Sequence, residues 1–157
     1  MSNQDTAAHN DTSASIRAPQ GKPSTSPKAA GALHADLVII RGLPGSGKST
    51  MAMVLSQVGY THVEADMFFV AEGVYRYDAS RIREAHAWCQ KVTRDALSNG
   101  ERVVVSNTFT QLREIEPYRA MTKSLRIIEA AGMWKNCHGV PEGVLARMAE
   151  RWEALAH

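Results

Sequence analysis

The stretch Gly42-Leu43-Pro44-Gly45-Ser46-Gly47-Lys48-Ser49 limits what this chain can fold into more than any other feature. Before it stands Leu37-Val38-Ile39-Ile40, a continuous branched apolar run of the kind a strand buried on both faces requires. After it, Ser49 to Gln57 carries Met51, Val54, Leu55 and Val58 at helical spacing, which predicts a helix burying that stripe. Strand, glycine loop and helix in this order satisfy G-x-x-x-x-G-K-[ST] in the context that gives the pattern meaning. Glycines let successive backbone N–H groups turn inward, and the helix N-terminus adds partial positive charge, so the loop makes a nest for phosphates. The expected ligand is ATP with Mg2+: Leu43, Pro44, Gly45, Ser46, Gly47, Lys48, Ser49 and Thr50 line it, Lys48 reaches the β- and γ-phosphates, and Ser49 ligates the metal. A glycine turn with a chance lysine would explain neither flanking element.

The remaining pattern alternates in the same way. A second short strand is predicted over Thr61 to Ala65, leading to Asp66 and Phe68-Phe69. Ala79 to Ser98 reads as a long helix with Ile82, Ala85, Cys89, Val92 and Ala96 in one stripe, closed by Asn99-Gly100. Arg102 to Ser106 is a Val-rich strand; Gln111 to Lys123 reads as helical, with Pro117 an irregularity or a restart. Leu125 to Glu129 is a fourth strand, and Pro141 opens a last helix burying Val144, Leu145, Met148, Trp152 and Leu155. Strands alternating with helices argue for an α/β fold of the P-loop NTPase type, a small parallel sheet of about four strands with helices on both faces. Ligands of such sheets bind beyond the carboxyl ends of the strands, where Gly42 to Ser49, Asp66, Ser106-Asn107-Thr108 and the stretch after Glu129 converge.

With 157 residues the chain has room for one domain, read here as 33–157, preceded by a 1–32 segment too polar to bury a core and expected to be a disordered tail. Lys plus Arg exceed Asp plus Glu by only 18 to 16, so any polyanionic partner must be held by a local patch. Cys89 and Cys137 lack metal-ligand spacing and read as reduced thiols. No apolar run approaches the roughly 18 to 20 residues that cross a bilayer, which predicts a cytoplasmic protein without a membrane partner.

Asp66 stands where a carboxylate could accept a hydroxyl proton beside the γ-phosphate, or could cap the helix that follows; the residues alone leave both open. Glu64, on the same side if the strand continues, is a rival acid. Asn107 occupies a position where many nucleotide hydrolases place an aspartate that holds magnesium through water. On the long helix Arg83, His86, Gln90 and Arg94 share a polar face, either solvated or lining an acceptor groove. Trp88 reads as packing rather than a stacking platform.

Taken together, Gly42 to Thr50, Glu64-Ala65-Asp66-Met67-Phe68-Phe69, Glu84 to Cys89, Val104 to Thr108 and Asn136 to Pro141 resemble the polynucleotide kinase branch of P-loop kinases. The resemblance spans about Leu37 to Leu155. It implies that Asp66 is the general base, that Asn107 and Thr108 approach the acceptor, and that the segment before His138-Gly139-Val140-Pro141 belongs to a lid. Phe69 stands near the place of the family's acceptor-phosphate arginine, and Asn107 replaces an acidic residue. The lid offers Lys135 and His138, with Arg147 and Arg151 one turn apart on the following helix. The implied activity is ATP-dependent transfer of a phosphoryl group to a hydroxyl, foremost a nucleic-acid 5′ end. The rivals are a small-molecule kinase acting on a sugar, nucleoside or antibiotic, and an ATP-switched binding module.

Overall fold

Strand β1 (Leu37–Arg41) is buried along its whole length because it has a parallel neighbour on each side and a helix layer over each face. The computed structural model describes residues 34–133 and 139–156. Its main sheet has the order β2-β5-β1-β6, with β2 at Tyr60–Val63, β5 at Arg102–Asn107 and β6 at Leu125–Glu129. All pairings are parallel; Leu37 lies opposite Val103 and Leu125, and Arg41 opposite Asn107 and Glu129. Parallel strands need crossovers; α1 (Lys48–Gln57) and α2 (Ile82–Ser98) carry two of the three, one over each face. The expected α/β architecture with a four-stranded parallel sheet is observed.

The period-2 alternation of β1 sorts its side chains into two cores. Leu37 and Ile39 join Val103, Val105, Ala85, Cys89, Ala96, Ile115 and Tyr118 beneath α2. Val38 and Ile40 join Val104, Ala52, Tyr60, Ala35 and Ala130 in a smaller cluster beneath α1. The stripe expected on α2 is the stripe found, with Ala85, Cys89, Thr93 and Ala96 buried. Trp88 packs on Phe68, ring centroids 6.2 Å apart.

Helix α1 departs from expectation. Met51, Val54 and Val58 are exposed to 37%, 62% and 51%, and Ala52 is the helix's buried residue. The phosphate loop fixes where this helix starts, through Gly47 in the left-handed region at φ 88°, and so fixes its rotation. Loop geometry rather than apolar spacing therefore chooses the face that meets the sheet. Strand β6, at the sheet edge, is only half-buried.

The second strand ends at Val63 rather than Ala65. A 3-10 helix, Ala65–Phe69, follows and runs into a small hairpin, β3 (Val70–Ala71) with β4 (Val74–Tyr75), that no periodicity in the sequence announces. Its turn places Glu72 and Gly73 at φ 52° and 77°. The predicted helix over Gln111 to Lys123 is instead a 3-10 turn, Leu112–Glu114, followed by the short α3 (Glu116–Arg119) with Pro117 in its first turn, so Pro117 marks a restart. The last helix, α4, spans Glu142–Glu150 with Pro141 just before it. Val144, Leu145 and Met148 on it, and Trp152 and Leu155 beyond it, are half-buried rather than core. No helix among the described residues is long and apolar enough to cross a membrane.

Candidate active site

The loop leaves β1 at Gly42 and closes at Gly47, with Gly45 and Gly47 at φ 83° and 88°, values that a residue bearing Cβ rarely adopts. A Cβ at Gly42 would lie 2.2 Å from Ser46 Oγ and 3.0 Å from the Ala130 carbonyl, so the chain reversal needs glycine there. The rim is tied to its neighbours: Gly42 N–H donates to Thr108 O, Ala130 N–H to Arg41 O and Gly132 N–H to Ser46 O. The first helical bond of α1 runs from Met51 N–H to Gly47 O, so the helix makes no use of the amides before it. Ser46 Oγ is buried and has no hydrogen-bond partner among the described residues. An orphaned hydroxyl inside a glycine loop at a helix N-terminus is a group a phosphate oxygen would satisfy. Beside the loop a cavity of about 420 Å³ is lined by Ser46, Gly47, Thr50, Met51, Glu129 and Ala131, wide enough for a nucleoside.

At the end of β2, Glu64 is half-buried and accepts side-chain hydrogen bonds from His62 Nε2 at 3.0 Å and Ser106 Oγ at 2.5 Å, with the Ser49 hydroxyl near enough to favour its charged form. His62 Nε2 also lies 2.8 Å from Ser106 Oγ. Burial alone would raise the Glu64 pKa; the hydroxyl and imidazole groups of His62, Ser106 and Ser49 outweigh it and hold the carboxyl down from 4.5 to about 2. A carboxylate ionised at neutral pH thus lies beside the hydroxyl expected to ligate magnesium. Two hard oxygen donors, Ser49 Oγ and Glu64, suit Mg2+, which typically takes one or two protein oxygens and completes its shell with phosphates and water. Among the described residues no cluster of three or more acidic, His or Cys side chains offers an all-protein metal cage.

Asp66 sits inside the 3-10 helix rather than before it. The residue at the cap position is Glu64, and its side chain makes no capping bond. The helix-cap reading of Asp66 is therefore not realised. Because the strand stops at Val63, Glu64 and Asp66 no longer share a strand face, and the two carboxylates part company: Glu64 turns to Ser49 and Ser106, while Asp66 lies near Tyr75. The Asp66 side chain is half-exposed and makes no hydrogen bond or ion pair with the described residues.

Asn107 is buried and committed elsewhere: Oδ1 accepts from Ala65 N–H at 2.9 Å, and Nδ2 donates to Cys89 Sγ at 3.5 Å. It pins the 3-10 helix carrying Asp66 to β5 and α2. Thr108 is half-buried, with its carbonyl on Gly42 N–H. Arg147 and Arg151 are exposed on α4 and just after it. Lys135, His138 and Cys137 lie outside the described residues, as does the 1–32 segment. Cys89 is a free, buried thiol whose pKa burial pushes up.

Pattern reading misses Arg41. Fully buried one residue before the loop, it donates Nε to Phe109 O at 3.0 Å and Nη2 to Thr110 O at 3.2 Å, pairs with Glu129 at 3.0 Å, and stacks 3.9 Å over the Trp152 ring. These bonds hold Phe109 at φ 48°, a left-handed conformation costly for an aromatic residue. The only signal in the sequence is a charge ending an apolar run.

Comparison with known proteins fits this geometry. A family model described as an AAA domain matches residues 37–132. NEDD4-binding protein 2 of Homo sapiens is 32% identical over 133 residues, 74% of this chain, although the chain spans only 8% of that protein's length. An uncharacterized protein of Pasteurella multocida (strain Pm70) is 32% identical over 131 residues, covering 71% of this chain and 73% of that one. Among solved structures, a gluconokinase from Sinorhizobium meliloti 1021 superposes with TM-score 0.52 at 19% identity, covering 74% of each chain. A Pnkp1/Rnl/Hen1 RNA repair complex gives TM-score 0.50 at 19% identity, covering 73% of this chain and 36% of that one; these likenesses are of fold. The family match covers more than half of the residues and coincides with the sheet, the phosphate loop and the acidic strand end, and the chain therefore belongs to this AAA-domain family.

Proposed function

We propose that the chain is an ATP-dependent phosphotransferase that moves the γ-phosphoryl group to a hydroxyl, foremost the 5′-hydroxyl of a nucleic acid. The observation that carries the reading is a division of labour between two carboxylates on one sheet edge. Glu64 is bonded to His62 and Ser106 beside Ser49, whereas Asp66 makes no hydrogen bond or ion pair with the described residues. A nucleotide switch has no use for an unpaired carboxylate at that place, whereas transfer to a hydroxyl needs one.

The glycine loop binds and orients the triphosphate, and Lys48 places positive charge where charge grows as the bond to the leaving oxygen breaks. Ser49 and Glu64 are the groups that would hold Mg2+, Glu64 through water; the ion, when bound, would neutralise charge on the β- and γ-phosphates. Asp66 accepts the acceptor hydroxyl's proton as its oxygen attacks the γ-phosphorus in line. Asn107, by fixing Ala65, sets where that carboxylate stands. Lys135, His138, Arg147 and Arg151 are the cations available to a lid.

Asp66→Asn tests the assignment. It keeps size and polarity but cannot take a proton. Transfer should fall by roughly 10² to 10⁴ while ATP affinity stays within a few-fold. Unchanged transfer to an accepted hydroxyl would remove Asp66 from the chemistry.

A further inference from the structure

Strand β5 lies between β2, which leads to Asp66, and β1, which leads to the phosphate loop. Anything presenting a hydroxyl to both must sit over the carboxyl end of β5. Just beyond that end, between the first turns of α2 and the chain that follows β5, lies a cleft of about 440 Å³ whose lining begins at Phe109. α2 contributes Arg83, His86 and Gln90; the opposite wall is Phe109, Arg113 and Pro117. Arg83 and His86 make no hydrogen bond or ion pair with the described residues, and Arg113 is bonded only to the neutral Gln111 amide at 3.0 Å. The one carboxylate in the lining, Glu114, is occupied by Gln111 N–H at 2.9 Å and Thr110 Oγ1 at 3.4 Å.

Arginine side chains on both walls of one cleft, with no acidic partner among the described residues, can bond an incoming anion without giving up an ion pair. The wall is also rigid, because Arg41 holds the Phe109 and Thr110 carbonyls from beneath. We propose that this cleft binds the phosphodiester backbone of the acceptor strand just inward of its reacting 5′ end, with Arg83 and Arg113 on successive phosphates. Sugar and base then rest against Pro117. The inference rests on the proposed polynucleotide acceptor and gives it a binding site. Arg94, on the same helix face, does not line the cleft, so only part of the polar stripe read from the sequence is used.

The test measures ATP-dependent phosphorylation of a 5′-hydroxyl oligodeoxynucleotide by Arg83→Glu, Arg113→Glu, the double variant and Arg94→Glu, with ATP affinity measured on each preparation. Both cleft arginines are exposed, so the fold should survive; melting temperatures check this, and Arg→Gln versions give a milder series. The expected result is a KM for the oligonucleotide raised roughly tenfold by each cleft variant, with ATP affinity held and Arg94→Glu without effect. The salt dependence of oligonucleotide affinity should fall by about 0.7 in log–log slope for each phosphate no longer held. If wild type phosphorylates the oligonucleotide while the double variant keeps its KM and salt slope, the cleft assignment is overturned and the proposed activity stands. If wild type phosphorylates a nucleoside or a sugar acid but no oligonucleotide, the polynucleotide reading is wrong and the cleft assignment falls with it.

Discussion

At Arg41 the chain buries a full positive charge one residue before the phosphate loop, with its nitrogens distributed over Glu129 and the Phe109 and Thr110 carbonyls. Removing the guanidinium leaves the buried Phe109 and Thr110 carbonyls without donors and empties a buried side-chain volume, while the exposed Glu129 is rehydrated. Arg41→Ala should therefore destabilise by about 2–4 kcal/mol, read as a lower denaturant midpoint with unchanged slope. Glu64 has a different role. Glu64→Gln should leave metal-free nucleotide binding nearly intact and weaken the gain in ATP affinity that Mg2+ provides by roughly tenfold, measurable by calorimetry with and without the ion. Glu64 also predicts a pH response. Its folded pKa is about 2 against 4.5 for the free group, so its stabilisation is complete above pH 4.5 and is lost as pH falls toward 2. Acid titration of wild type should be steeper over that window than that of Glu64→Gln; parallel curves would exclude the contribution. The sequence brings Glu64 into view only as a competitor of Asp66. Ser106, which bonds it, stands near the end of β5, and Ser49 beside it lies in the first turn of α1, and no spacing rule on one strand reports such a meeting.

At the scale of elements, the long helix and the Val-rich strands can be read directly because one packing face decides their pattern. Helix α1 cannot, since its rotation is fixed by the loop that starts it. This makes a contrast testable by substitution. Changing Val54 to Lys on the exposed side should alter stability by no more than about 0.5 kcal/mol. Ala52→Leu, which forces a larger side chain against Val38, Ile40 and Val104, should cost about 1–3 kcal/mol. Equal costs at both sites would contradict the observed orientation. The end of β2 misleads for a related reason: alternation continues on paper through Ala65, but Asn107 takes the Ala65 N–H that a longer strand would have given to a neighbour. That single side-chain bond turns the chain into the 3-10 helix and so places Asp66.

For the whole molecule, the order β2-β5-β1-β6 gathers the loop, Glu64, Asp66 and the cleft on one edge. The alternation of strands and helices, together with the glycine motif, already locates that edge in the sequence. The cleft itself is not legible there, because its two walls are about 20 residues apart and meet only when α2 packs on the sheet. The chemistry proposed for this edge is phosphoryl transfer rather than nucleotide binding alone. It is tested most directly by incubating the full chain with ATP labelled at the γ-phosphate and a panel of 5′-hydroxyl DNA, RNA, nucleosides and sugars. Lys48→Ala serves as the control. Label should appear on the 5′ ends of the oligonucleotides with wild type and be absent with Lys48→Ala; ATP bound by wild type with no label passing to any hydroxyl would rule out phosphoryl transfer at this edge.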